Sequence, residues 1–171
     1  MIKHVVGACA VSVALAAAAP AQTPVPAGPE FRVNAYTTGN QGTSRIAVQP
    51  NGNFIVVWTS AGQDGSGDGV FARRFFADGS PRGAEFRVNT FTTGHQRIPS
   101  VAVGADGAFE VVWASTHGGT YHDVFGQRYD AAGGRVGGEF QVNTYTTLDQ
   151  SWPQIARAAD GRFVVVWLTV G

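Results

Sequence analysis

Cysteine is almost absent from this chain: Cys9 is the only one in 171 residues. No intrachain disulfide can form and no thiolate metal centre can be built, so the fold must hold by packing alone. Lysine is equally scarce, since Lys3 is the only one and every later cation is arginine. Charged residues make up 14% of the chain, with 12 basic against 12 acidic side chains and a formal net charge of zero. That balance excludes a basic field for nucleic acid or an anionic membrane surface. It also excludes a highly charged disordered chain and a coiled coil. No apolar run is long enough to span a bilayer as a helix, so an integral membrane protein of that kind is not expected. What the chain has in quantity is glycine (23), proline (8) and 44% hydrophobic residues, the composition of a β-rich protein with many tight turns.

The longest apolar run lies at the start. Val5 to Ala18 follows Lys3 and His4 and is too short to cross a membrane. Ala19-Pro20-Ala21 then presents small residues where a signal peptidase reads them, so residues 1–21 are expected to be a signal peptide. Cleavage after Ala21 removes Cys9 and places the mature chain in a secreted, periplasmic or cell-surface setting. Residues 22–29, QTPVPAGP, read as a Pro-rich linker.

From residue 30 to residue 171 the chain copies itself. Glu30-Phe31-Arg32-Val33-Asn34 returns as Glu85 to Asn89 and as Glu139-Phe140-Gln141-Val142-Asn143, at offsets of 55 and 54 positions. Each copy continues with an aromatic residue, paired threonines and a glutamine (Gln41, Gln96, Gln150), then Gly52, Gly107 or Gly161, and Trp58, Trp113 or Trp167. Matches this dense establish an internal repeat, present in about two and a half copies.

Each copy reads as four strands. The first is expected at Arg45 to Val48, Ser100 to Val103 and Gln154 to Arg157. Asn51-Gly52, Asp106-Gly107 and Asp160-Gly161 suit tight hairpins with both central residues at positive φ. The second strands, Phe54 to Trp58, Phe109 to Trp113 and Phe163 to Trp167, are apolar at nearly every position, which means burial on both faces. Val70 to Phe75 and Val124 to Tyr129 form the third strands, and the next Glu-Phe-Arg-Val-Asn the fourth. Small sheets buried on both faces need neighbours on both sides. The expected fold is therefore all-β, an incomplete propeller-like array of four-stranded antiparallel repeats, with a β-sandwich as the alternative. Glu30 to Asn34 stands as a lone fourth strand, and Phe163 to Trp167 ends the array with no third strand after it. Open sheet edges of this kind are expected to drive self-association.

The string EFxVNx[YF]TTxxQ, then DGxFxVVW, then VFxxR[FY], resembles a tandem repeat of large bacterial secreted and surface proteins. The resemblance covers Glu30 to Trp167 and implies a propeller-like frame, with no catalytic residues to carry over.

Several side chains stand out against the repeat. Asp64, Ser66 and Asp68 alternate in a Gly-rich loop, an oxygen-ligand spacing that makes a candidate calcium site or an ion-free hairpin. His117, His122 and Asp123 fall in the matching loop of the second copy, as weak metal ligands or solvated loop residues. Trp152 replaces Ile98 and Thr43 of the other copies, so it is free for a binding role or for covering an open end. Trp58, Trp113 and Trp167 read as core. Gln41, Gln96 and Gln150 read as satisfying loop backbone. Glu110 stands where Ile55 and Val164 stand, and is expected to face solvent or an arginine, with valine there neutral or stabilising. No catalytic constellation appears, and no cofactor is required. A non-enzymatic binding or adhesion module for extracellular carbohydrate or protein is the first expectation. A structural spacer or remnant of a larger repeat protein is second, and a secreted glycoside hydrolase last. Sequencing the N-terminus of exported protein should return Gln22 as the first residue; an intact Met1 would refute the signal peptide.

Overall fold

The sheets are assembled from turns that the repeat fixes. In the computed structural model, which describes residues 28–117 and 119–171, each glycine of the first turn takes positive φ: 84° at Gly52, 86° at Gly107 and 86° at Gly161. Asn51, Asp106 and Asp160 do not, which corrects the two-residue hairpin expectation. Their side chains instead accept the amide two residues on, at 3.0, 3.1 and 3.0 Å, and hold the preceding turn in a form where only the glycine need be left-handed. The expected signal peptide and most of the linker lie outside the described residues.

Ten strands follow, all antiparallel where paired. The first sheet holds β1 (Gln41–Val48), β2 (Phe54–Ala61), β3 (Asp68–Phe75) and β4 (Phe86–Arg87), in that order. The second holds β5 (Gln96–Val103), β6 (Phe109–Ser115), β7 (Asp123–Tyr129) and β8 (Arg135–Gln141). The third holds β9 (Asp149–Arg157) and β10 (Phe163–Val170). The described residues contain no helix. The first strands, β1, β5 and β9, lie side by side, each beginning several residues before the apolar pattern does. Residues 31–34 are not a strand, which corrects the lone fourth strand: no neighbour takes up their ladder bonds. They are tied instead through the Val33 carbonyl, which accepts from Arg73 at 3.1 Å, and through Phe31, whose ring sits 5.6 Å from that of Phe75.

Alternation along β2 shows why the sheets stack. Ile55 and Val57 enter a core shared with the second sheet, where Val101, Phe109, Val111 and Trp113 meet them. Val56 and Trp58 point the other way, into a cluster with Phe71 and Phe75 that Val33 helps to cover. β6 is buried at every position, so it is sandwiched between the first and third sheets. Face-to-face stacking of successive antiparallel sheets, with their first strands adjacent, is a propeller-like arrangement and not a two-sheet sandwich.

Repeated polar residues stitch the sheets together. Buried Asn89 accepts the Val70 amide at 2.8 Å and donates to the Phe91 carbonyl at 2.9 Å; Asn143 does the same with Val124 and Tyr145, at 2.7 and 2.8 Å. Gln41, Gln96 and Gln150 donate to the carbonyls of Thr38, Thr93 and Thr147. The Glu85 carboxylate accepts the Ala35 amide, and Glu139 accepts that of Thr90, so each glutamate ties its sheet to the connection leading out of the previous repeat. Asn89→Ala strands the buried Val70 amide. It should lower the unfolding free energy by about 1–3 kcal/mol, measured by urea titration; an unchanged midpoint would refute this role.

Candidate functional site

Each first strand carries the same irregularity. The register slips between Gly42 and Arg45, between Arg97 and Ser100, and opposite Val166 to Leu168, so two residues face one tryptophan, Trp58, Trp113 or Trp167. The leading residue of each bulge is Thr43, Ile98 or Trp152, with φ of 44°, 55° and 55°. Left-handed backbone is costly for such side chains, on the order of 1–3 kcal/mol each. Three equivalent copies of the strain mean that packing imposes it, and the bulge turns each leading side chain toward its neighbours.

All three converge on one cleft of about 310 Å³, lined also by Asn40, Gly42, Thr59, Asp68 and Arg97. Trp152 is 49% exposed there, so its ring face is accessible. Asp68 is the one carboxylate lining the cleft among the described residues. Its Oδ2 meets Arg97 at 3.1 Å and His95 Nδ1 at 2.9 Å. Thr43 and Thr59 share a 2.6 Å hydroxyl contact, and Thr59 Oγ1 also accepts the Ile98 amide at 3.2 Å. An aromatic face, a carboxylate held by an arginine and a histidine, and small hydroxyls make a site suited to a polyhydroxylated ligand.

The sequence candidates divide accordingly. Trp152 and Asp68 come together in the cleft. Asp64 and Ser66 do not: Asp64 accepts from Ser66 and Asn89, each at 3.2 Å, while Ser66 Oγ accepts the Gly94 amide at 3.2 Å. The loop is thereby strapped to the chain entering β5. His117, His122 and Asp123 scatter. His117 stacks between Phe91 and Phe125, at 4.1 and 4.5 Å, and Asp123 accepts from Asn143. His122 pairs with Asp149 at 2.9 Å; its amide and ring together hold that carboxyl below the usual carboxylate range. Among the described residues no cluster of three or more histidines and acids has metal-binding geometry. Trp58 and Trp113 are buried in the core, whereas Trp167, expected there as well, is 36% exposed on β10, a strand that is not buried on both faces because no further sheet covers it among the described residues.

Arg97, Thr43 and Ile98 were missed by sequence reasoning because the repeat hides them in an ordinary strand. A signal existed in paired exceptions. Asp68 and His95 in the first pair of repeats become His122 and Asp149 in the second, the same 2.9 Å histidine–aspartate contact with its members exchanged.

The same logic explains Glu110. It is buried on β6 and bonds Arg157 of β9 at 2.7 Å, while Arg157 also reaches Asp106 at 3.1 Å. The equivalent positions one repeat earlier are Ile55 and Val103, an apolar pair packed between the first and second sheets. Burial pushes the Glu110 carboxyl up, and Arg157 opposes the shift. Valine at 110 alone is therefore not neutral, because it removes the buried partner of Arg157 and leaves it only the exposed Asp106.

No family model matches this chain, and no curated protein matches it. Solved structures do. An endo-arabinase from Bacteroides thetaiotaomicron superposes with a TM-score of 0.50 at 13% identity, over 74% of this chain and 50% of that one. A thermostable family-43 glycoside hydrolase superposes at 0.50 with 9% identity, over 75% of this chain and 48% of that one. The fold is propeller-like. At these identities the likeness concerns the fold, and the chain spans about half the length of these neighbours. Both neighbours are named as glycan-cleaving enzymes, so the ranking that placed a binding or adhesion module first and a glycoside-hydrolase relation last is corrected: the fold is one shared with glycoside hydrolases. The cleft gathers Asp68, Arg97 and Trp152 from three sheets.

Glu110→Val should cost about 3–5 kcal/mol, whereas Glu110→Ile with Arg157→Val, which restores the first interface, should be neutral or stabilising. The sign with pH follows from the raised carboxyl. The folded chain holds this proton above the ordinary glutamate range, so Glu110 favours the fold at acid pH. Its contribution falls as pH rises through the elevated value. Thermal melts of both variants across pH test this, and a slope unchanged in the double variant would refute it.

Proposed function

We propose that this chain forms the substrate-holding part of a glycan-cleaving propeller, with the sugar bound in the cleft where β1, β5 and β9 converge. The observation that carries the reading is the convergence of Thr43, Ile98 and Trp152, from the same bulge of each repeat, on a cleft that also holds Asp68. A cleft of about 310 Å³ accommodates one sugar ring or two. The half-exposed indole offers a flat apolar face to the C–H side of a pyranose or furanose ring. Asp68, Arg97, Asn40 and Thr43 supply acceptors and donors for the ring hydroxyls.

Asp68 is the candidate acid. Arg97 and His95 fix its Oδ2 and hold the carboxyl in one orientation, as a positioned catalytic carboxylate requires. Glycoside hydrolysis by paired acids needs a second carboxyl several ångströms away. Export behind the residue 1–21 leader puts this chemistry where polymeric glycans are met. The calcium reading of the Asp64–Asp68 loop has no second support, since its side chains are spent on strapping the first sheet to the second.

Arabinan, the polymer suggested by the endo-arabinase neighbour, is the first substrate to test, beside xylan and bacterial glycans. Binding should quench or shift tryptophan fluorescence. Trp152→Ala should weaken it about tenfold, equivalent to about 1.4 kcal/mol, with the melting temperature retained. Reducing-sugar release should fall at least about a hundredfold in Asp68→Asn. Neither binding nor release on any glycan of the panel would overturn the proposal.

A further inference from the structure

Charge is balanced between the second and third sheets and unbalanced between the first and second. The second interface brings together Glu110, Asp106, Arg157 and, directly across the ladder from Glu110, Arg128. Two carboxylates there meet two guanidinia. One repeat earlier the same places hold Ile55, Asn51, Val103 and Arg74, with Arg74 directly across from Ile55. One arginine is retained and both acids are gone. The first interface also gains a cation, because Arg82 occupies the place that Val136 has in the next copy.

Arg74 and Arg82 line one small cavity between these two sheets, with Gln49, Ile55, Val103 and Gly107. Its volume of about 10 Å³ is room for a single water-sized sphere. It lies where β1 ends and β2 begins, whereas the cleft lies where β1 begins and β2 ends, so the two sites are at opposite ends of the sheets. The seat of Arg74 is built by the turn after β7. Its guanidinium donates to the carbonyls of Ala131, at 3.1 Å, and Ala132. Gly133 is left-handed at φ 91°, and a Cβ there would lie 2.6 Å from Arg74 Cζ, so glycine leaves room for the guanidinium. Those bonds use two of the five N–H groups that a guanidinium carries. Gln49 Nε2 is fixed by the Gly104 carbonyl at 3.3 Å, with a second N–H to spare. Arg82 lies over the Phe76 ring at 5.9 Å. Among the described residues neither arginine meets a carboxylate within ion-pair distance. Burial holds the Arg74 guanidinium below its ordinary value, and Arg82 pushes the same way, while Asp130 opposes both.

We propose that this cavity is a halide site, in which one chloride ion bridges Arg74 and Arg82 and supplies the negative charge that Glu110 and Asp106 supply in the next interface. Size selects a monatomic anion, since the cavity is too small for a whole sulfate, phosphate or carboxylate. The donors suit it as well. Spare N–H groups of Arg74, Arg82 and Gln49 surround the cavity, and the apolar walls of Ile55 and Val103 leave the halide little water to keep. Because Arg74 belongs to β3 of the first sheet and its seat to the second, a chloride held there strengthens the packing of one sheet on the other. The site makes no use of the cleft and stands apart from the glycan reading.

Thermal melts at constant ionic strength, with sodium chloride replacing sodium gluconate, read the site directly. Chloride should raise the melting temperature saturably, by about 3 °C at a tenfold excess over its Kd, and bromide should do the same. Arg82→Gln alters an exposed side chain, so it should keep the circular dichroism and lose the rise. Arg162→Gln removes an exposed arginine outside the cavity and should keep the rise in full. Crystals soaked in bromide should show an anomalous peak between Arg74 and Arg82. A melting temperature indifferent to halide would overturn the proposal. So would a rise that survives Arg82→Gln, or one lost equally in Arg162→Gln, which would reduce the effect to net charge. A bromide peak without a saturable rise would mark an adventitious ion only and would overturn it as well.

Discussion

Burial of the second strand of the first two repeats on both faces is the constraint from which the rest follows. Phe54 to Trp58 and Phe109 to Trp113 have almost no position that tolerates water, so neither sheet is complete alone. Each must be covered on one side by the repeat before and on the other by the repeat after. Stacking is then obligatory, and the first strands are drawn together at one edge of the stack. The hydrophobic gain from such a strand is on the order of 1.5–3 kcal/mol per large side chain fully buried, more than the bulge strain at Thr43, Ile98 and Trp152 costs. Packing can therefore hold three unfavourable backbone conformations where the sheets meet.

Polar residues in this architecture act mainly between repeats. Asn89 and Asn143 replace missing ladder bonds with side-chain bonds. Glu85 and Glu139 anchor the preceding connection, and the Asp68–His95 and His122–Asp149 pairs clamp the start of a third strand to the first strand of the next repeat. At the buried Glu110–Arg157 pair an apolar contact of one interface becomes ionic in the next. A buried pair of this kind adds little net stability compared with valine and isoleucine. It does make the second and third sheets chemically distinct from the first and second, which discriminates against misregistered stacking. Tyr129, sealed in the same stack, has its hydroxyl pushed up to about 12 by burial.

The cleft owes its character to small departures from the repeat. The bulge is common to all three copies, while the side chain it presents is threonine, isoleucine or tryptophan. A repeated frame thus fixes where the side chains point, and the variable position decides what a ligand meets. Asp68 enters the same cleft from the far end of a Gly-rich loop, because that loop must cross to the second sheet to reach Gly94 and His95.

Sequence alone determined the all-β class, the repeat, the core positions of Trp58 and Trp113 and the need for stacked sheets, because two-sided apolar strands and glycine turns are local signals with a single physical solution. It singled out Trp152 and Glu110 only as departures from the repeat, and Asp68 only as an oxygen in a calcium-like loop. Tertiary structure decided the partners of those residues. Asp68 and Arg97 are separated by a full sheet connection, Glu110 and Arg157 by a whole repeat, and Thr43, Ile98 and Trp152 by one repeat each. A bulge that shifts register by one residue leaves no mark in composition or periodicity. Only the stacking angle of the sheets brings such positions within a few ångströms, and that angle is set by the summed packing of every core side chain, which no single stretch of sequence encodes.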